Sequence, residues 1–99
     1  MRSKRKAKPK TIRIGKKTFN VVHVDALSVK RDAEIDYRAK EIRIVNKFWR
    51  ADELEALWHE IVHGILRDMR RHDLNNEAFV NAFCKRLYRA LEDMGHITY

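Results

Sequence analysis

His59, Glu60 and His63 stand in the spacing H-E-x-x-H, within the stretch Trp58-His59-Glu60-Ile61-Val62-His63-Gly64. Histidines four residues apart on a helix are neighbours on one face, about 40° apart around the axis, so both imidazoles can reach one metal ion. A residue directly after the first histidine projects near such an ion without being well placed to bind it. A carboxylate there can take a proton from a water that the metal activates, which makes Glu60 the candidate general base. Zinc suits this donor set, because its catalytic sites combine three protein ligands with an open position. The chemistry to expect is metal-assisted hydrolysis of an amide.

A third ligand is required. One extended pattern would place glycine at 66 and histidine at 69, where this chain has Leu66 and Met69. His72 and Asp73 follow closely, in the turn expected between two helices, and both stay in contention. Glu77 is the better candidate. It comes fourteen residues after His63 and opens the second helix beside its apolar face. Packing of the two helices would therefore aim it at the histidines. Asn81, one turn later on the same side, is placed to hydrogen-bond a ligand. Cys84 shares that side but lies about 10 Å further along the axis, where a buried structural cysteine is the commoner case.

The elements that must position these residues follow from hydrophobic periodicity. Ile12, Ile14, Phe19, Val21 and His23 alternate with polar neighbours on two short runs, separated by Gly15-Lys16-Lys17, which predicts a β-hairpin. Val22 and Val24 add apolar groups on the opposite face, as in a strand buried on both sides. A second pair of strands is expected around Ile35–Tyr37 and Glu41–Val45. From about residue 52 the period becomes helical. Leu54, Leu57, Trp58, Ile61, Val62, Ile65, Leu66 and Met69 form one wide apolar face on a helix over about 52–70. Asp52 is the expected N-cap, with Glu55 three residues on. Asn75 or Asn76 caps a second helix over about 76–94, with Phe79, Phe83, Leu87, Leu91 and Met94 as its apolar face and Gly95 to end it. The predicted architecture is α+β: a small antiparallel or mixed sheet followed by two amphipathic helices packed on it.

Charge is unevenly distributed. The chain of 99 residues carries a formal +8, but six of its 22 lysines and arginines lie in MRSKRKAKPK, residues 1–10. The other 89 residues hold 16 basic against 14 acidic groups, a balance of +2. Residues 1–10 therefore read as a disordered basic tail, able to touch nucleic acid, ahead of one domain over 11–99. A single cysteine excludes an internal disulfide and suits a reducing compartment. With neither an apolar signal segment nor a membrane span in the sequence, a cytoplasmic protein is expected. Phe48 and Trp49, between Lys47 and Arg50, read as loop anchors.

The strand pair at Ile35-Asp36-Tyr37 and Ile42-Arg43-Ile44, followed by Leu57-Trp58-His59-Glu60-Ile61-Val62-His63, resembles the gluzincin-type minimal metallopeptidases. Within them it is similar to small phage-encoded and ImmA/IrrE-like proteins. Asn76-Glu77-Ala78-Phe79-Val80-Asn81-Ala82-Phe83 is similar to their second helix, which opens on a glutamate ligand. Over residues 35–93 the resemblance implies one zinc held by His59, His63 and Glu77, with Glu60 as base and acid, acting on a peptide or protein substrate. No residue matches the histidine or tyrosine that larger relatives use on the oxyanion. Two other functions compete: a zinc-binding interaction module without catalysis, and a small nucleic-acid-associated protein acting through its basic tail. Glu60 argues against the first, having no duty in merely holding zinc. The near-neutral body argues against the second, since a folded nucleic-acid domain carries its own basic face.

Overall fold

Residues 11–46 and 50–95 are described by the computed structural model; the basic tail, Phe48, Trp49 and His96 lie outside them. β1 (Thr11–Ile14) and β2 (Lys17–Val24) pair antiparallel, with Ile12 opposite Phe19 and Ile14 opposite Lys17. Gly15 and Lys16 form the turn. Only the first of them has positive φ, +61° at Gly15, the pattern of a type II′ turn whose first position favours glycine. β3 (Ala33–Asp36) and β4 (Glu41–Val45) make a second antiparallel pair, with Ile35 opposite Ile42 and Ala33 opposite Ile44. Their turn is fastened by Asp36, whose Oδ1 accepts the Ala39 N–H at 2.9 Å.

β4 then inserts beside β2 in parallel, Val21 next to Ile42 and His23 next to Ile44, giving the sheet order β1-β2-β4-β3. β4 has both of its edges paired, and the two edge strands are β1 and β3. Its Ile42 and Ile44 are almost wholly buried, so the strand that contributes most to the core takes an inner position. The outer face is polar. Arg43 there donates to Glu34 at 2.7 Å, Asp36 at 2.9 Å and Glu41 at 3.0 Å. Among the described residues no helix covers this face, so Val22 and Val24 are half-buried rather than enclosed from both sides.

α1 (Arg50–Asp68) starts two residues earlier than the periodicity suggested, which puts Asp52 inside its first turn rather than at the cap. Glu53 in the same turn is buried against the sheet and pairs with His23, Oε1 to Nε2 at 3.6 Å. At the other end the Arg71 N–H donates to Leu66 O at 2.9 Å and the Arg70 N–H to Arg67 O at 3.0 Å. This double closure places Arg70 in the left-handed region, φ +60°, where glycine is usual.

The apolar residues of α1 serve two cores. Leu57, with Ile61 and Ala56, packs on Ile14, Phe19, Ile42 and Ile44 of the sheet. Gly64 brings the helix close: a Cβ there would lie 2.8 Å from Ile14 Cδ1 and 3.2 Å from Ile35 Cδ1. Val62 and Leu66 instead meet Val80 and Cys84 of α2 (Glu77–Asp93). Among the described strands and helices α2 touches only α1, so the layers run sheet, α1, α2, and the expected packing of both helices on the sheet is not what forms. Asn76 caps α2, its Oδ1 accepting the Phe79 N–H at 2.9 Å, and Gly95 ends it with φ +78°. The buried stripe of α2 is Val80, Cys84 and Tyr88. Phe83 and Met94, assigned from sequence to its buried face, are 45% and 67% exposed, and on α1 Ile65 and Met69 also face solvent. Among the described residues no helix is long and apolar enough to cross a membrane.

Arg70→Gly is expected to stabilise the fold by up to about 1 kcal/mol, because the left-handed backbone is strained for a residue with a Cβ. Thermal unfolding should show a Tm rise of a few degrees. A fall would mean that contacts of the Arg70 side chain outweigh the strain.

Candidate metal centre

With one face of α1 on the sheet and another on α2, His59 and His63 occupy the arc left between them. Their rings meet edge-on with centroids 4.8 Å apart, and their Nε2 atoms are 3.1 Å apart. Glu77 reaches over from the first position of α2. Its Oε1 lies 2.9 Å from His59 Nε2 and its Oε2 lies 3.1 Å from His63 Nε2. The cap at Asn76 fixes where α2 begins, and so fixes where this carboxylate enters.

One hydrogen bond orients the second histidine. His63 Nδ1 is 2.6 Å from Asn75 Oδ1. An amide oxygen only accepts, so Nδ1 carries a hydrogen, and Nε2 is the His63 nitrogen turned toward Glu77 and His59. Two ring nitrogens and a carboxylate thus face one point, an arrangement that suits a metal cation. Ligand atoms about 2.0–2.2 Å from a tetrahedral ion lie roughly 3.3–3.5 Å from one another. The shortest pairs observed are a few tenths of an ångström closer, and one ligand atom from each residue lies within 4.8 Å of the others, within reach of side-chain rotations. His59, His63 and Glu77 therefore fit a metal ion, and the group could hold one.

The trio opens on a cleft of about 550 Å³. Its walls are the α1 residues Asp52 and Glu55, the segment Lys30–Ala33 leading into β3, and Asn81 of α2. Glu60 lines the same cleft although only 9% exposed. Burial pushes its carboxyl up to about 7; His63 and Arg31 pull the other way, while Glu77 and Glu34 add to the rise. A dication held by the three ligands would draw it back down and keep it ionised near neutrality.

The remaining sequence candidates separate cleanly. Asp73 is engaged by Arg71 through two bonds of 3.0 and 2.8 Å, and neither it nor His72 belongs to the cluster. Cys84 points at Trp58 O, 3.7 Å away. Burial, with the charge of Glu60, raises its thiol to about 11, so it is protonated. Asn81 lines the cleft, but among the described residues it bonds none of the three ligand side chains; Asn75 is the residue that orients one. The sequence signal for Asn75 was the pair Asn75-Asn76, of which only one can cap the helix. Tyr37 is not among the residues lining the cleft; it lies edge-on to Phe19 at 6.2 Å and 4.0 Å beneath the Arg67 guanidinium.

Competition with a coloured chelator should give one divalent ion per chain. Asn75→Ala is expected to weaken binding about 10- to 100-fold through loss of ring orientation, and Glu77→Ala by more. Cys84→Ser and His72→Ala should leave the affinity unchanged. Metal loss in either of those two would overturn the ligand assignment.

No family model, no curated protein and no solved structure matches this chain.

Proposed function

We propose that this chain is a zinc-dependent peptidase, with His59, His63 and Glu77 as the zinc ligands and Glu60 as general base. The observation that carries the reading is the convergence of two imidazole nitrogens and a carboxylate beside a buried glutamate, all lining one open cleft. A structural zinc site would supply four protein ligands; three with an open side are the donor set of a catalytic one. The resemblance to gluzincin-type minimal metallopeptidases, phage-encoded and ImmA/IrrE-like proteins among them, rests on the same residues and supports the same assignment. A protonated, buried Cys84 suits a cytoplasmic protein.

Zinc bound there supplies Lewis acidity and makes a water molecule more acidic. The protein's own part falls to Glu60. It accepts a proton from the attacking water and delivers it to the leaving amine nitrogen. Its low exposure keeps bulk water from competing for that proton. The outer edge of β3 continues from the Lys30–Ala33 wall of the cleft and carries no partner strand among the described residues. An extended peptide adding to Ala33–Asp36 as a fifth strand would be led past the ligands.

Glu60→Gln tests the reading. The variant should keep the fold and the metal, since glutamine has nearly the same shape, and should lose about 10²- to 10⁴-fold in peptide cleavage. A peptide library read by mass spectrometry, with and without chelator, measures this. Cleavage that persists in the variant sinks the proposed role of Glu60. Zinc bound by wild type with no cleavage of any peptide would favour an interaction module instead.

A further inference from the structure

We propose that Arg31 stabilises the negative charge that develops on the scissile carbonyl oxygen, an assignment that rests on the peptidase reading above. Hydrolysis needs such a group. As the water oxygen bonds to the carbonyl carbon, the carbonyl π pair moves onto oxygen and the water's proton goes to Glu60. When that pair returns, the C–N bond breaks and nitrogen takes its electrons together with the proton. A donor aimed at the oxygen lowers the barrier in between.

Arg31 is placed for this by the fold. It lies in the segment that leads into β3 and lines the same cleft as His59, Glu60 and Glu77. Its positive charge acts on the Glu60 carboxyl, although the two residues come from different walls. Four other arginines are committed elsewhere, Arg43 to three carboxylates, Arg67 to Tyr37, Arg71 to Asp73 and Arg86 to Ala82 O, and Lys30 is the other basic residue lining the cleft. Among the described residues no hydrogen bond or ion pair engages the guanidinium of Arg31. A permanently charged, planar group with several donors is left facing a cleft otherwise rich in carboxylates, Asp52, Glu55 and Glu77 among them. It can bond a carbonyl oxygen in the ground state and hold it more strongly as charge builds. The group comes from the sheet side of the cleft.

The test compares wild type, Arg31→Ala and Arg31→Lys, all loaded with zinc. Metal content should be equal in the three. Arg31→Ala should lose about 10²- to 10³-fold in kcat with KM changed only a few-fold, and added guanidinium ion should restore part of the rate. Arg31→Lys should fall between. Calorimetry with a phosphonate analogue of a cleaved peptide, whose tetrahedral oxyanion mimics the charged state, should show affinity lost in step with kcat. Equal kcat and equal phosphonate affinity in wild type and Arg31→Ala would overturn the assignment alone. So would a rise in KM at constant kcat, which would mark Arg31 as a substrate anchor. A wild type that holds zinc and cleaves nothing would overturn the peptidase reading, and this assignment with it.

Discussion

Everything in the site depends on α1 being packed on two sides at once. Its Leu57 and Ile61 are held by the sheet, its Val62 and Leu66 by α2. A helix gripped along two of its faces cannot rotate about its axis without opening both cores, each made of contacts worth several kcal/mol. The arc between the grips is where His59 and His63 emerge. Their direction is thus set by burial elsewhere on the same helix, before any ligand or hydrogen bond contributes. Gly64 tightens the grip by letting the helix settle against Ile14 and Ile35, next to the second histidine.

On that rigid support the polar groups have graded environments. Glu77 is largely in water, the histidines are partly covered, and Glu60 is nearly enclosed. A carboxylate in the interior is pushed toward neutrality unless a cation stands beside it, and burial does this to Glu60. Asn75 adds the remaining constraint, since its carbonyl decides which nitrogen of His63 turns toward Glu77 and His59.

Much of this was legible in the sequence because it depends on local periodicity. The helical spacing placed the two histidines together, the Asn-Glu pair marked the start of the second helix, and alternation put Ile12, Ile14, Phe19, Val21 and His23 on one sheet face. What was not legible depends on which of two similar surfaces finds a partner. α2 has adjacent stripes, Val80-Cys84-Tyr88 and Phe79-Phe83-Leu87, and it is the first whose Val80 and Cys84 meet Val62 and Leu66 of α1. The apolar content of the second suggested otherwise. The insertion of β4 between β2 and β3 was equally hidden, because strand order is set by the whole sheet and by no single strand. Asn75 escaped for a related reason: its role arises from the tight turn after α1, where Arg70 adopts a left-handed backbone.

Because α1 is the one strand or helix that α2 touches among the described residues, the cluster has a mechanical meaning beyond chemistry. Two of its donors belong to one helix and the third to the other. An ion held there acts as a clasp across the helical hairpin, and the free energy of coordination is added to the docking of α2 rather than to the sheet. Without the ion, α2 is secured by the short seam of Val80, Cys84 and Tyr88, and is the element whose local opening costs least. Occupancy and order at this end of the molecule are therefore two readings of one equilibrium.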